Sequence, residues 1–457
     1  MMLESIKNIY FLGIGGIGMS ALAHWTNLKK FNTQGWDDDT DTPTLLSLIN
    51  SGLTIHNSET KSQFFLDSDK LHNNNTIIIY TPAISEDHEI FQYFKSKRFQ
   101  MFKRADLLKF VSRNHKVIAI AGTHGKTTIS IMLSHILRSS GLACNAFFGG
   151  ISNNYNSNFL IGDSEIMVVE ADEYDKSFLK LSPNMSLISS MDRDHGDIYN
   201  NHDSMLDSYH DFINNTKKTI ITHHDLSIQS DFIYSLKSSS DFYASDQYLV
   251  GDQLCFTINF PDKSRINTHL LFGSSYNVEN AIAAASLAFV LGVSPANIGN
   301  ALMSFNGIKR RFEYHINLKK CIMIDDYAHH PQELLALITS LKERYEKKEL
   351  FLIFQPHLFS RTKEFEEQFV DVLSLVDKLI LLKIYPARED PISGVTSKNL
   401  LNKIRVKNKW YLDIDIGVSA DTKELRSILL KEKPNLLITA GAGDIFKLIP
   451  EIKSILR

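Results

Sequence analysis

The sequence predicts an α/β protein made of three consecutive units, and three observations carry that expectation. Apolar runs of strand length recur along the chain and alternate with segments of helical spacing. Two glycine-rich turns, Gly13–Gly18 and Gly122–Gly125, each stand directly between such a run and a helical segment. Polar and charged clusters fall repeatedly just after the strands, where an open parallel sheet gathers its ligands along one edge. At 457 residues the chain is long enough for about three domains of roughly 150 residues.

In the first unit, Ile6–Leu12 reads as a strand and is followed at once by Gly13-Ile14-Gly15-Gly16-Ile17-Gly18, the pattern G-x-G-x-x-G. Met19–Leu28 reads as a helix, Thr33–Trp36 as a second strand, and Asp37 stands at its end. Strand, glycines, helix and an acidic residue about 20 positions on form the Rossmann fingerprint in its context, and taken alone it predicts NAD. The rhythm continues through Thr54–Ile55, Thr76–Tyr80 and the helical Asp87–Lys95. Thr81-Pro82-Ala83-Ile84 lies at the carboxyl end of a strand, and Arg104–Asn114 is a helix leading into the second unit.

The second unit opens with Val117–Ala121, a buried strand, then Gly122-Thr123-His124-Gly125-Lys126-Thr127-Thr128, then a helix over Ile129–Ser140. Glycines let backbone N–H groups close around phosphate oxygens, and the helix N-terminus adds a favourable dipole. Lys126 would reach the β/γ-phosphates and the Thr127 hydroxyl would hold Mg2+. A strict G-x-x-x-x-G-K-[ST] loop has Gly where this chain has Ile120, and its first Gly comes two residues later. The plain alternative is a Gly-Lys-Thr at an ordinary helix start.

Further along this unit, Glu165–Val169 reads as a strand that ends in Glu170-Ala171-Asp172-Glu173-Tyr174-Asp175. Carboxylates crowded this closely fit a cation such as Mg2+, or else a solvated loop. Met185–Ser189 is the next strand, followed by Asp192–Asp197 with His195, a site cluster or a charged turn. Strands recur at Thr219–Thr222, Phe242–Tyr243 and Gln253–Ile258, while the Ser- and Asp-rich Leu226–Ser245 reads as surface structure. Tyr276–Val290 is a helix with Asn277 and Asn280 one turn apart, suited to an adenine edge, or to a cap in the case of Asn277.

The third unit begins near Gly307–Phe312. Its strands Cys321–Asp325, Glu349–Phe354, Leu379–Ile384 and Asn435–Thr439 are each followed by polar residues, and Leu334–Tyr345 reads as a helix. His329, Arg361 and Arg388 stand at strand ends, where a basic group suits a substrate carboxylate or a developing phosphoryl charge. The residues thus point to ATP-dependent chemistry on an anionic small molecule, without naming it.

Composition excludes several classes. A net charge of −3 gives no electrostatic case for nucleic acid. No apolar run approaches the ~20 residues of a membrane-spanning helix, so no membrane insertion is expected. Ile9–Ala23 has a signal-like apolar run, but its glycines and Glu4 argue against that. Cys144, Cys255 and Cys321 are too far apart for a disulfide framework or a zinc site, and a cytoplasmic protein with reduced thiols is expected.

Taken together, G-T-H-G-K-T-T, E-A-D-E-Y-D, D-H-G-D, D-D-Y-A-H-H-P and F-Q-P-H-L-F-S-R-T resemble the Mur ligase family. G-I-G-G-I-G-M-S-A-L-A, Y-P-A-R-E-D-P-I-S-G-V-T-S and G-A-G-D-I resemble its alanine-adding branch, and the likeness runs from Ile9 to Ile445. It implies an N-terminal Rossmann-like domain for a UDP-sugar (1–110), a central P-loop ATPase domain with a mostly parallel sheet (111–309) and a C-terminal Rossmann-like, amino-acid-binding domain (310–457). By this resemblance Gly13, Gly15, Gly16 and Gly18, with Met19 and Ser20, hold the UDP diphosphate in place of NAD. Asp37, Thr81 and Ala83 lie near the same ligand. Gly122, Thr123, His124, Gly125, Lys126, Thr127 and Thr128 bind the ATP phosphates.

The resemblance also assigns Thr127 and Glu170 to a first Mg2+ and His195 to a second. Asn277 and Asn280 fall in the adenine-contacting helix, where the family's usual His is Tyr276 here. Arg310 or Arg311 and Asp325 or Asp326 match nucleotide contacts. Tyr327, His329 and Arg361 match the groups that hold L-alanine, and many relatives have Arg in place of Leu358. Lys126, His329 and Arg361 are the catalytic candidates. A carbamylated lysine is not assigned, because Lys217 and Lys218 come too late after His195.

The implied reaction belongs to peptidoglycan precursor synthesis. The lactyl carboxylate of UDP-N-acetylmuramate attacks the γ-phosphate of ATP, and the amine of L-alanine then attacks the acyl phosphate. The C-terminal domain is expected to close and exclude water. The expected partners are these small molecules, and the chain is a monomer or homodimer. One alternative is the recycling ligase that adds a tripeptide to the same UDP-sugar. An NAD-dependent dehydrogenase would use Gly13–Gly18 but leave the Lys126 loop unexplained. A non-catalytic P-loop switch would make the acidic and His clusters coincidence.

Overall fold

The computed structural model describes residues 5–39, 41–192, 199, 202–271, 273, 275–387, 389–416 and 422–457. These residues form three β-sheets with helices packed against them, in two compact units. Residues 1–271 with 277–306 make up the first unit, and residues 272–276 with 307–457 the second.

The first sheet contains β1 (Asn8–Leu12), β2 (Asn32–Trp36), β3 (Thr54–His56), β4 (Thr76–Tyr80) and β5 (Gln100–Lys103). All pairings are parallel, in the order β3-β2-β1-β4-β5. The order reverses between β1 and β4, so their carboxyl ends flank the crevice where such a sheet binds ligands. Gly13–Gly18 follows β1 and Thr81–Ile84 follows β4. Both loops therefore border one crevice.

The second sheet contains β6 (Lys116–Ala121), β7 (Asn145–Ser152), β8 (Ser157–Leu160), β9 (Ile166–Glu170), β10 (Met185–Ile188), β11 (Thr219–His223), β12 (Phe232–Ser235), β13 (Phe242–Val250), β14 (Gln253–Asn259) and β15 (Arg265–Leu270). Its order is β15-β14-β13-β12-β11-β10-β6-β9-β7-β8. The middle pairs parallel, while β13–β14–β15 and β7–β8 are antiparallel. Val117–Ala121 of β6 is buried, as an apolar run covered on both faces must be. Because β6 lies between β10 and β9, the loops after these three strands meet.

Leu226–Ser245 departs from expectation. Beside the expected strand at Phe242–Tyr243, which opens β13, it supplies the unexpected β12, and Tyr234 and Phe242 are buried. The Ser- and Asp-rich turn between the two strands masks their short apolar pattern. One continuous core joins both sheets of this unit, from Phe11, Leu22 and Leu107 to Ala119, Met167 and Phe178. Asn158 Nδ2 adds polar links, donating to the Ile17 carbonyl (2.6 Å) and to Ser20 Oγ (2.9 Å).

The second unit holds β16 (Glu313–Leu318), β17 (Cys321–Asp326), β18 (Leu350–Phe354), β19 (Lys378–Leu382), β20 (Asn408–Leu412) and β21 (Leu436–Ala440). The order is β16-β17-β21-β18-β19-β20, parallel except for β16. A helix starts at Pro331, three residues earlier than the apolar spacing suggests. His330 caps it, with Glu333 completing a reciprocal capping box.

Candidate functional site

In the first unit, the turn after β6 is built so that only glycine fits at its ends. Gly122 has φ +132°, and a Cβ there would stand 2.1 Å from Ser189 Oγ. Gly125 has φ +83°, and its Cβ would meet Asn280 Oδ1 at 2.6 Å. The loop after β10 holds the turn from the side. The His124 N–H donates to Ser190 Oγ (2.9 Å) and Thr123 Oγ1 donates to the Asp192 carbonyl (2.9 Å). The helix Lys126–Ser139 then begins, with Thr127 and Thr128 buried in its first turn.

Two side chains of that turn reach carboxylates at the end of β9. Lys126 Nζ donates to both oxygens of Glu173, each at 2.8 Å, and to the Gly122 carbonyl at 2.7 Å. Burial works against the ammonium, but the charges of Glu173 and Asp172 outweigh it and raise the Lys126 pKa. Thr127 Oγ1 donates to Glu170 Oε1 (2.9 Å), and the Gly149 N–H donates to Glu170 Oε2 (2.6 Å). Burial raises the Glu170 pKa, opposed by Lys126 and these two donors.

Nucleoside triphosphate and Mg2+ can be tested against this arrangement. The glycine turn leaves space no Cβ could share, Lys126 supplies the cation, and Thr127 with Glu170 gives two hard oxygen donors at one spot. The residues fit both groups. His195 and Arg388 lie outside the described residues.

The glycine loop of the first sheet is also closed by its neighbours. The Gly13 and Ile14 N–H groups donate to the Trp36 carbonyl (2.9 and 3.1 Å), and the Gly15 N–H donates to Asp37 Oδ2 (2.7 Å). Asp37 is thus turned onto the loop itself, and burial raises its pKa against those backbone donors. Gly13 has φ +78°, and its Cβ would stand 2.7 Å from Thr81 Cγ2, which brings the loop after β4 alongside. The Ala83 N–H points back to Thr81 Oγ1 at 3.4 Å. Gly16 caps the helix Ile17–Leu28, in which Gly18 sits in the first turn. Met19 and Ser20 are buried in that helix, and the Ser20 hydroxyl donates to the Ile17 carbonyl (3.0 Å).

In the second unit, the loops after β17, β18, β19 and β21 gather a second group. Arg310, at φ +62°, donates from Nε to Asp325 Oδ2 (3.2 Å) and from its terminal nitrogens to the Gly441 and Gly443 carbonyls. Asp325 is fully buried and also accepts from Thr439 Oγ1 (2.5 Å). Burial pushes its carboxyl up to about 6 despite Arg310. Asp326 accepts the N–H groups of Phe312 and Ala328, each at 2.8 Å, and burial raises its pKa as well. The Arg310 and Arg311 guanidinium groups each lie 5.1 Å from the Tyr327 ring centre.

His329 Nδ1 lies 3.0 Å from the Tyr327 carbonyl, which makes it the protonated nitrogen and leaves Nε2 basic. Burial lowers the His329 pKa, against the Glu333 carboxylate 3.3 Å away. Arg361 donates to His357 Nδ1 (3.3 Å), and the His357 and His329 rings are 5.9 Å apart.

Most expected residues therefore fall into three groups: the β1/β4 crevice, the phosphate turn with Glu170, Asn277 and Asn280, and the cluster of the second unit. Several contributors were not singled out from sequence. Gly149 orients Glu170, Ser189 and Ser190 brace the phosphate turn, His357 touches Arg361, and Gln355 donates to Asp444 Oδ1 (2.7 Å). Their signal was present, since all but Gly149 stand just after a strand. Gly149 lies inside β7, and no sequence pattern marks it.

Comparison with known proteins bears on the whole chain. Residues 8–116 match the Mur ligase family catalytic domain, 120–288 the Mur ligase middle domain and 310–443 the Mur ligase glutamate ligase domain. A UDP-N-acetylmuramate–L-alanine ligase of Porphyromonas gingivalis is 39% identical, with 99% of each chain covered. One of Cytophaga hutchinsonii is also 39% identical, covering 99% of this chain and 97% of that one. Among solved structures, a UDP-N-acetylmuramate–alanine ligase of Thermotoga maritima shares the fold, with a TM-score of 0.82, 24% identity and 98% of each chain covered. Three successive domain matches and full-length likeness at this level lead to one conclusion: the chain belongs to the Mur ligase family.

Proposed function

We infer that this chain is an ATP-dependent ligase that joins L-alanine to the lactyl carboxylate of UDP-N-acetylmuramate, a step of peptidoglycan precursor synthesis. The observation that carries this reading is full-length likeness to proteins named for that reaction, at 39% identity. The glycine turn and Lys126 support the use of ATP. No helix among the described residues is long and apolar enough to cross a membrane, in keeping with small soluble substrates.

The mechanism follows from this chain's own groups. Lys126 and the N–H groups of Gly125–Thr128 draw charge from the phosphoryl group as the lactyl carboxylate attacks it, while those of Thr123 and His124 hold the turn to Ser190; positioning with electrostatics does most of the work. Thr127 and Glu170 would hold Mg2+, with His195 for a second ion, and the metal supplies neutralisation of phosphate charge. Asn280, packed on the phosphate turn, and the buried Asn277 are the groups for the adenine. In the second unit, Arg361 pairs with the carboxylate of L-alanine and Tyr327 borders it. His329 is neutral before the step and takes the ammonium proton at Nε2, becoming imidazolium beside Glu333 and freeing the amine to attack the acyl phosphate and expel phosphate.

Phosphate release tests this reading, with ATP, Mg2+ and UDP-N-acetylmuramate, with and without L-alanine. Release that needs both the sugar nucleotide and L-alanine, and is lost in Lys126→Ala, is the expected result. Turnover only with the tripeptide would identify the recycling ligase, and no turnover with either would refute ligation.

A further inference from the structure

We propose that Arg104 holds an ionised oxygen group of the sugar nucleotide at the start of the helix Ile17–Leu28, a proposal that rests on the UDP-sugar reading above. A Cβ on Gly18 would stand 3.0 Å from Arg104 Nη1 and 3.3 Å from its Cδ. The missing side chain at Gly18 is therefore the space in which the guanidinium lies. Arg104 opens the helix Arg104–Ser112, which is fixed at its start by charged pairs. Lys103 Nζ meets Asp175 Oδ2 at 2.7 Å, and Lys180 meets Asp106.

Arg104 differs from these neighbours. Its side chain is 22% exposed, yet its one ion-pair partner among the described residues is Asp172 Oδ2 at 3.8 Å, and it makes no hydrogen bond there. Five N–H donors in a fixed fork are thus held in a mostly buried position with little to bind. The glycine loop beside it is short of donors. The N–H groups of Gly13, Ile14 and Gly15 are taken up by Trp36 and Asp37. Those of Ile17 and Gly18, in the first turn of the helix, have no acceptor within it. An anion at this helix start would receive two N–H groups and the guanidinium fork together, a geometry that suits phosphate or carboxylate oxygens.

The sugar nucleotide offers both chemistries, in its diphosphate and in its lactyl carboxylate. Calorimetric titration of the full chain with UDP-N-acetylmuramate and with UDP-N-acetylglucosamine, which lacks the carboxylate, separates them. Arg104→Gln is expected to raise Kd for UDP-N-acetylmuramate at least about tenfold, the effect of losing a charge-assisted pair. The Kd for a non-hydrolysable ATP analogue and the melting temperature should stay as in the parent. An equal rise for both sugar nucleotides assigns Arg104 to the diphosphate, and a rise for UDP-N-acetylmuramate alone assigns it to the carboxylate. Unchanged Kd for both, in a variant that still binds the ATP analogue, overturns the proposal. If Arg104→Gln does not fold, Arg104→Lys, which keeps the charge and loses the fork, is expected to weaken binding severalfold, and parent-like affinity overturns the proposal equally. A parent protein that binds neither sugar nucleotide refutes the UDP-sugar reading instead.

Discussion

Removing Lys126 should destabilise the fold as well as stop the chemistry. The lysine side chain is 13% exposed and its partner Glu173 only 1%, and both carboxylate oxygens lie 2.8 Å from Nζ. Lys126→Ala leaves that carboxylate buried without its ammonium. Breaking one side of a buried pair costs about 3–5 kcal/mol, whereas replacing both partners with neutral groups of similar volume is close to neutral. The single variant should therefore melt about 5–10 °C below the parent, given a few degrees per kcal/mol in a unit of this size. Lys126→Met/Glu173→Gln should recover most of that loss while staying inactive. Thermal and urea unfolding of the parent, Lys126→Met, Glu173→Gln and the double would give a coupling energy of about 2 kcal/mol or more. A single variant as stable as the parent, or a double no more stable than Lys126→Ala, would refute the buried-pair account.

Three further outcomes follow from single positions. In Gly149→Ala the new Cβ would stand 2.6 Å from both Glu170 oxygens, so the carboxylate must leave Thr127; the Mg2+ needed for half-maximal phosphate release and the Kd for Mn2+ should each rise about 10–100-fold, and an unchanged Mn2+ titration would sink this assignment. Burial favours the neutral form of Asp325, with a pKa of about 6 against an ordinary 3.8. The fold therefore binds that proton more tightly than the unfolded chain does, and its contribution to stability declines as pH rises from about 4 through about 6. Subtracting the Asp325→Asn urea-unfolding curve from the parent's should isolate this fall of at most roughly 3 kcal/mol, and a difference of opposite sign would contradict it. Leu358 has φ +70° and ψ 137°, a conformation natural only to glycine, so Leu358→Gly should raise the unfolding free energy by about 1 kcal/mol; a lower value in urea would rule out strain there.

The parts legible in the sequence are those whose physics is local. The runs Val117–Ala121 and Leu350–Phe354 are covered on both faces and read as unbroken apolar stretches. The phosphate turn was readable because its glycines, Lys126 and Thr127 are consecutive. Shorter or more polar elements were missed. Phe232–Ser235 is only four residues long, too short to show a period, and Asn145–Ser152 is interrupted by Gly149 and Gly150. The helix His202–Asn214 did carry a signal, with Met205, Tyr209 and Phe212 buried on one face at spacings of four and three, diluted by polar neighbours. Long-range pairings were out of reach. Glu173 meets Lys126 across 47 positions only because β9 lies beside β6, and sheet order is not written in either segment.

The loop at Gly13–Gly18 illustrates why one motif can mislead about its ligand. Its glycines permit a tight turn and leave room for a pyrophosphate, and this says nothing of what the pyrophosphate carries. The acidic residue after the second strand is the part that would select NAD, through a ribose hydroxyl. In this chain that carboxylate is already engaged. Asp37 accepts the Gly15 N–H at 2.7 Å and the Asp39 N–H at 3.1 Å, while Thr44 donates to the Gly15 carbonyl at 2.5 Å. The acid thus fixes the loop's shape, and each of its oxygens keeps a lone pair for a further donor. The element that predicts a nicotinamide cofactor therefore also braces the glycine loop, and it does not by itself choose between ligands that share a pyrophosphate.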